Sequence, residues 1–200
     1  KLKITEDIEN LFKFCSKNNI VIKNDDKTIN KVADKENCFI VGVFKKFIGE
    51  QTNDKHVVLV NPSDMGNMGT IMRSAVGFEV PNLAIIRQAV DPFDPKTIRA
   101  SMGASARINI QMFDSFDDYL KEFPDNKMYP FMLDGSKLLQ NVKIEKPFSL
   151  IFGNEATGLP ASFQEIGQPI RIEHGHGIDS LNLPIAASIA LYSSTAEDFK

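Results

Sequence analysis

The sequence is poor in the features on which several protein classes depend. Its 200 residues include two cysteines and no tryptophan, and neither Cys15 nor Cys38 stands in a CxxC pair or near a histidine at metal-ligand spacing. We interpret both as reduced, at least partly buried thiols. No run approaches the roughly 18 consecutive apolar residues that a membrane span needs, and no apolar signal core opens the chain. We therefore expect a soluble cytoplasmic protein with no membrane partner.

Two nucleotide-binding signatures are also missing. The chain has neither the GxxxxGK[ST] of a P-loop nor the GxGxxG of a Rossmann site, so neither mechanism of phosphate binding can be claimed. The net charge is −3, but residues 1–50 carry ten lysines against eight carboxylates. The remainder is correspondingly acidic. Any polyanion site there must be a local basic patch.

A polar stretch at 49–54 separates two parts of the chain. The front part, 1–50, contains apolar segments that predict a helix around 8–15, a strand at 20–22, a second helix at 28–33 and an apolar run at 38–44. We predict a small α/β piece. About 50 residues bury too little surface to be stable alone.

Residues 55–200 alternate short apolar runs with helical stretches. The runs that predict buried strands lie at 56–60, 83–86, 108–110, 129–133, 148–152 and 169–172. The helical stretches lie at 70–77, 95–102, 115–123 and 183–196. This alternation predicts an α/β domain with a parallel sheet flanked by helices, and with ligands at the carboxyl ends of the strands.

Three segments after predicted strands combine glycine with polar side chains. The first, 61–75, holds two glycines where we expect a loop to enter a helix, so backbone N–H groups could approach a ligand closely. The second, 150–160, contains Phe-Gly-Asn-Glu, and the third, 172–184, contains Ser-Leu-Asn. Taken singly, each is also compatible with a plain turn and helix cap. His174 and His176 lack a third ligand at a suitable spacing, so we predict no metal site.

Together the segments resemble the motifs of the SpoU/TrmH branch of the SPOUT RNA methyltransferases. The resemblance rests on Asn67-x-Gly69-x-x-x-Arg73, on Phe152-Gly-Asn-Glu-x-x-Gly-Leu159 and on Ser180-Leu-Asn182, which stand in the family's order. The connector 91–104 is also similar to the family, and the resemblance covers roughly 56–195. The front 50 residues resemble the second half of a small α/β RNA-binding module that often precedes this domain.

The resemblance implies a fold and a domain organisation. A partial RNA-binding module at 1–50 would precede a methyltransferase domain at 55–200 that ends in a deep trefoil knot. Crossing backbones in a knot need positions without a Cβ. We expect the residues that supply them to be Gly153, Gly158, Gly175 and Gly177.

The resemblance also implies a cofactor and a reaction. S-adenosylmethionine would be held, mostly by backbone groups, at Leu133, Gly153, Asn154, Glu155, Ile172, Ser180 and Leu181. Its methyl group would pass to a ribose 2′-hydroxyl of rRNA or tRNA. Arg73 would orient a phosphate or stabilise the developing alkoxide, since a guanidinium that stays protonated cannot act as a simple base. The residues expected to hold Arg73 and the ribose are Asn67, Ser180 and Asn182.

Partners and alternatives remain open from the sequence. Between Arg73 and Arg107 five basic residues face three acidic ones, a candidate RNA patch. The resemblance implies a homodimer, and the last helix offers a close-packing face with Ile185, Ala186, Ile189 and Ala190, although a core helix would show the same pattern. A catalytically idle RNA-binding or ribosome-assembly protein and a SPOUT base methyltransferase are the competing hypotheses.

Overall fold

The computed structural model describes residues 4–33 and 38–199. The chain forms two compact units, Lys1–Lys45 and Lys46–Lys200. Residues around the polar stretch 49–54 are bonded within the larger unit: the Gly49 N–H donates to the Ile110 carbonyl at 3.3 Å, and the Thr52 N–H donates to the Asn82 side chain at 3.3 Å. The assignment of an RNA-binding role to the front unit stays a prediction.

The front unit contains two helices, α1 (Glu6–Lys17) and α2 (Asp26–Val32). The Asp25 carboxylate caps α2 by accepting the Thr28 N–H at 3.0 Å. The strand predicted at 20–22 is wrong: these residues form no regular structure, and Val21 is 77% exposed. A strand exists through hydrogen bonds to a neighbour, and within the described part of this unit no segment supplies them.

A five-stranded parallel sheet forms the centre of the larger unit. Its strands are β1 (Lys55–Val60), β2 (Asn82–Ile86), β3 (Asn109–Phe113), β4 (Lys127–Pro130) and β6 (Phe148–Phe152). They lie in the order β3-β2-β1-β6-β4. The short strands β5 (Lys137–Leu138) and β7 (Ile170–Arg171) pair with each other outside this sheet. The run predicted at 169–172 is therefore a strand, but not a strand of the main sheet.

Four helices complete the unit: α3 (Met65–Gly77), α4 (Pro95–Ser101), α5 (Phe116–Glu122) and α6 (Leu183–Thr195). Alternate side chains of β1 enter different apolar layers. Val57 and Leu59 join the layer that includes α3 and α6, whereas Val58 and Val60 join the layer that includes α5. Both faces of the sheet are buried, which explains the unbroken apolar runs. The predicted α/β class is confirmed.

Near β7 the returning chain passes very close to β4 and to the segment that follows β4. The Met132 N–H donates to the Ile170 carbonyl at 2.9 Å, and the Gln168 N–H donates to the Met128 carbonyl at 2.9 Å. A Cβ at Gly135 would overlap the carbonyl of Ile170, so only glycine fits there. The trefoil knot itself stays a prediction. No helix in the described ranges is long and apolar enough to span a bilayer.

A chain of buried polar side chains joins β1, α5 and β6. The Tyr119 hydroxyl lies 3.0 Å from His56 Nδ1 and 2.5 Å from Ser149 Oγ. His56 Nε2 lies 2.6 Å from the Thr52 carbonyl, which can only accept, so Nε2 carries the proton and Nδ1 accepts from Tyr119. Burial lowers the pKa of His56 and raises the pKa of Tyr119. Both groups are therefore neutral at pH 7, as their hydrogen bonds require.

Ion pairs connect the segment after α6 to strand β1 and to the residue pair before β6. Just beyond the helix, the Asp198 carboxylate contacts Lys55 Nζ at 3.3 Å and Lys146 Nζ at 2.6 Å. The Lys55 side chain is only 9% exposed, whereas that of Lys146 is 46% exposed. Asp198 therefore compensates a largely buried ammonium group, and Lys146 adds an exposed second partner.

We expect Asp198→Ala to lower the free energy of unfolding by about 1–3 kcal/mol, because it leaves the Lys55 ammonium buried without its partner. The control Lys146→Ala removes only the exposed contact and should cost less than about 0.5 kcal/mol. Urea unfolding followed by circular dichroism measures both values. Equal losses in the two variants would contradict the assignment, and Lys55→Met should recover part of the loss in the Asp198→Ala background.

Candidate functional site

A cavity of about 330 Å³ lies where the chain leaves β4, β6 and β7. Its walls come from the residues that follow these three strands and from the beginning of α6. Parallel strands end at one edge of a sheet, so their following loops meet there. The cavity therefore occupies the place that the strand pattern predicted for a ligand.

The structure brings the predicted cofactor residues together. The residues among them that line the cavity are Leu133, Gly153, Asn154, Glu155, Ile172, Ser180 and Leu181, which is the complete predicted set. Of the predicted catalytic residues, Ser180 lines the cavity, whereas Asn67 and Arg73 lie on α3 and Asn182 lies just before α6. The binding and catalytic roles of these residues stay predictions.

The loop after β6 folds back tightly on itself. The Gly158 N–H donates to the Asn154 carbonyl at 2.9 Å. A Cβ at Gly153 would overlap the backbone of Gly158 and Leu159, so this position accepts only glycine. Gly158 has open space around it but a φ of +68°, the left-handed region that favours glycine. Both glycines are needed, each for a different reason, and the crowding at Gly153 arises within its own loop.

The expectation of close backbone approach is therefore wrong at Gly158, and it is also wrong at Gly175 and Gly177. A Cβ at Gly175 or Gly177 would meet nothing within 4 Å, and neither residue has a positive φ. Close approach instead occurs at two glycines that the sequence did not single out. Gly135 crosses Ile170, and Gly167 has a φ of +60° and no room for a Cβ against Met128. Their partners are distant in the chain, so no local pattern could have identified them.

Asn154 joins the ends of the two central strands. Its Nδ2 donates to the Asn61 carbonyl at 2.9 Å, immediately after β1. Its Oδ1 accepts the Ala156 N–H at 2.9 Å and the Thr157 N–H at 3.2 Å. The amide is used from both ends, so its orientation is fixed. This contact holds the loop after β6 against the loop after β1.

Glu155 ties the same two loops more strongly. Its carboxylate accepts the Ser63 N–H at 3.0 Å, the Ser63 hydroxyl at 2.7 Å, the Asp64 N–H at 3.2 Å and the Asn67 amide at 3.3 Å. Burial opposes ionisation, but the bonds from Ser63 and Asn67 outweigh it and lower the pKa of Glu155. The carboxylate is therefore ionised at pH 7. Glu155 lines the cavity as predicted, yet its charged group is engaged with the entry to α3.

The first motif is more helical than the sequence indicated. Helix α3 begins at Met65, five residues before the predicted start, because the Asp64 carboxylate caps it by accepting the Asn67 N–H at 2.7 Å. A Cβ at Gly69 would lie 2.5 Å from the Thr97 carbonyl oxygen and 2.6 Å from Ala100 Cβ. Gly69 thus lets α3 and α4 pack closely. The expectation that it approaches a ligand is wrong.

Arg73 is exposed on α3, about 9 Å along the helix axis from Asn67. Throughout the described ranges, no side chain forms an ion pair or hydrogen bond with its guanidinium. The expected contacts from Asn67, Ser180 and Asn182 are absent, and the Asn67 amide is bonded to Glu155 instead. Arg73 is also not among the residues that line the cavity.

The cavity has further lining residues that were not among the predicted cofactor residues. The rings of Phe131 and Phe152 stack with centroids 4.8 Å apart and an angle of 17°. Asp134, Arg171 and His174 add charged or titratable groups. Asp134 follows β4 and could have been found from its place after a predicted strand. Within 4–33 and 38–199, no group of three side chains could hold a metal ion.

Residues 54–192 match the protein family described as the SpoU rRNA methylase family. The chain is 29% identical over 146 residues to an uncharacterized tRNA/rRNA methyltransferase from Synechocystis sp., covering 72% of this chain and 53% of that protein. It is 29% identical over 142 residues to a 23S rRNA (guanosine(2553)-2′-O)-methyltransferase from Bacillus subtilis, covering 69% and 57%. Its fold is similar to the crystal structure of an AdoMet-bound rRNA methyltransferase from Sinorhizobium meliloti, with a TM-score of 0.78, 29% identity and coverage of 86% and 70%. The chain thus spans little more than half the length of these two curated relatives.

We expect Gly153→Ala to lower the free energy of unfolding by about 1–3 kcal/mol, the usual cost of overpacking. Backbone atoms of Gly158 and Leu159 obstruct the added methyl group, and backbone cannot rotate away as a side chain can. The control Gly175→Ala adds the same methyl group in open space and should change stability by less than about 0.5 kcal/mol. Thermal unfolding of both variants measures the difference. A tolerated Gly153→Ala would contradict the described loop geometry.

Proposed function

Because the chain belongs to the SpoU rRNA methylase family, we propose that it transfers a methyl group from S-adenosylmethionine to a ribose 2′-hydroxyl of rRNA or tRNA. One observation supports this proposal most directly. The second and third family motifs, which are distant in the chain, meet in one cavity at the carboxyl edge of the sheet. The first motif is fastened to that cavity through Glu155.

The cavity fits S-adenosylmethionine in size and chemistry. Its volume of about 330 Å³ is at the lower end of the range of small-molecule sites. Aromatic and aliphatic side chains suit the adenine, and the exposed Asp134 carboxylate suits the positively charged part of the cofactor. Backbone groups at Leu133, Gly153 and Leu181 would hold the polar edges. When bound, the cofactor supplies an electrophilic methyl group on its sulfonium.

Arg73 acts on the RNA side of the reaction in this proposal. Arginine stays protonated, so it serves as a hydrogen-bond donor and a positive charge rather than as a base. Its planar guanidinium orients a phosphate next to the reacting ribose or stabilises negative charge on the 2′-oxygen. Asn67 keeps the start of α3 in place through Glu155 and is a positioning residue.

The RNA would lie across α3 and α4. Beside Arg73, the exposed cations include Lys96 on α4 and Arg107, which lies beyond the end of α4. Gly69 lets α3 and α4 pack closely, and in this proposal their cations contact one RNA strand. Arg87, which we included in the predicted patch, is paired with Asp114 at 3.0 Å and contributes less positive charge.

A second copy of the chain would pack on α6. One face of this helix is in the core, with Ala187, Ala190 and Leu191 fully buried. The opposite face exposes Ile185, Ile189 and Tyr192, the last at 63%. Ala190 therefore belongs to the core and cannot form part of the dimer face predicted from the sequence.

We expect sedimentation velocity at micromolar concentration to show a homodimer, and Ile189→Asp to shift it to monomer because a charge would be desolvated in an apolar contact. The control Glu197→Asp alters an exposed residue beyond the helix and should leave the dimer intact. A monomeric wild type, or an unaffected Ile189→Asp dimer, would contradict packing through α6.

The activity is tested by incubating bulk tRNA and deproteinised rRNA with the protein and S-adenosylmethionine, and by analysing the nucleosides with mass spectrometry. We expect a 2′-O-methylated nucleoside. Arg73→Ala should reduce the rate on the order of 10²- to 10³-fold, the usual loss of one transition-state donor. Arg73→Lys should recover little, since an ammonium cannot make a planar two-pronged contact.

Calorimetry with S-adenosylhomocysteine provides the control. Arg73→Ala should bind it like the wild type, with one site per chain and no effect of a chelator, because Arg73 lies outside the cavity. A methylated base would support the base methyltransferase instead. RNA binding without any methylation would support the idle RNA-binding protein. Loss of RNA affinity alone in Arg73→Ala, with single-turnover chemistry intact, would make Arg73 a phosphate-positioning residue.

A further inference from the structure

A long apolar side chain stands on the surface just after α4, in a backbone conformation that disfavours it. Met102 is 73% exposed and has φ 51° and ψ 39°, and Gly103 follows with φ 88°. In this left-handed region a residue with a Cβ raises the free energy of the folded chain by about 1–2 kcal/mol, whereas glycine does not. The chain therefore presents methionine where glycine would be the more stable choice. Such an exception is a starting point for a functional hypothesis, which the surroundings of the residue must support.

The backbone on both sides of Met102 is firmly anchored. Ser101 is fully buried, and its hydroxyl lies 2.7 Å from the Ile98 carbonyl and accepts the Ser105 N–H at 3.3 Å. Ala104 belongs to the main apolar core. The exposure of Met102 is thus a consequence of a fixed turn that directs the side chain outward, which lowers the entropic cost of contact with a ligand.

The surroundings of Met102 indicate what it contacts. The exposed Lys96 precedes it on α4, the exposed Arg107 follows it, and α4 packs against the helix that carries Arg73. An apolar tip within a basic surface complements a single-stranded polynucleotide, whose phosphates bind cations and whose unstacked bases offer apolar faces. A polarisable thioether packs well on an aromatic face.

We propose that Met102 packs against the face of an unstacked base of the RNA substrate, close to the nucleotide that is methylated. The inference rests on the proposed function and adds a base contact to a surface otherwise built from phosphate contacts. Phosphate contacts position an RNA without reading its sequence. Met102 therefore requires that the strand be unpaired at this point.

The test compares Met102→Gly with the wild type in binding a mixed-sequence single-stranded RNA 20-mer and in methylating bulk tRNA and rRNA. We expect Met102→Gly to bind the RNA about tenfold more weakly than the wild type. This loss corresponds to the free energy gained when most of a methionine side chain is buried. The dependence of affinity on salt should not change, because no phosphate contact is lost. Arg107→Ala should instead lower the slope of log affinity against log salt by about one. Met102→Leu should bind within a factor of about two of the wild type.

Two controls separate a base contact from a structural effect. Glu79 is also exposed with a positive φ of 54°, so Glu79→Gly makes the same backbone change elsewhere and should not weaken RNA binding. The second control is a series of 20-mers, each with an abasic site at a different position. At one of these positions the abasic site should abolish the difference in RNA affinity between Met102→Gly and the wild type. Both glycine variants should keep S-adenosylhomocysteine binding. Both should be at least as stable to heat as the wild type, because glycine relieves the left-handed backbone.

Unchanged RNA affinity in Met102→Gly, while the wild type binds and methylates RNA, would overturn the inference and leave the proposed function standing. A shift of Met102→Gly from dimer to monomer would also overturn it, because the occupant would then be a second copy of the chain. A wild type that neither binds nor methylates RNA would remove the proposed function, and the base contact with it.

Discussion

The carboxylate of Glu155 is the contact on which the arrangement of the site depends. It follows β6 and accepts hydrogen bonds from three residues at the entry to α3, with Ser63 lying 92 residues away in the chain. Charge-assisted bonds are roughly twice as strong as neutral ones, and four of them converge on this group. Since β1 and β6 are neighbours at the centre of the sheet, the carboxylate fastens the loops of the two central strands into a single unit.

Close backbone approach is the second constraint. It occurs within a loop, between two helices and between segments that are distant in the chain. Gly153 folds one loop onto itself, Gly69 brings two helices together, and Gly135 allows distant segments to cross. In each case at least one obstructing atom belongs to the backbone, which no change of rotamer can move away. Specificity of the fold therefore resides in positions that carry no side chain. Apolar burial supplies the stability but leaves these distances undetermined.

The sequence predicted what is local and missed what is distant. The central strands were predicted because burial on both faces produces an apolar run, and the family resemblance is confirmed. The strand at 20–22 failed because apolar residues alone cannot provide a hydrogen-bonding neighbour. The start of α3 was placed too late, since its glycines suggested a loop while the Asp64 cap and contact with α4 make a helix. The bond from Ser63 to Glu155 has no local signature.

The geometry separates two tasks that a methyltransferase must combine. Close backbone approaches lie beside the cavity, at Gly153 within its own loop and at Gly135 against Ile170, so substitutions there disturb the backbone. Arg73 and Met102 stand on exposed surfaces of a helical layer that is joined to the cavity through Glu155 and Asn67. Exposed side chains on a fixed scaffold can change at little cost in stability. Under the proposed function, selection of the RNA can therefore diverge through α3 and α4, while the proposed cofactor site keeps the form that close backbone contacts impose.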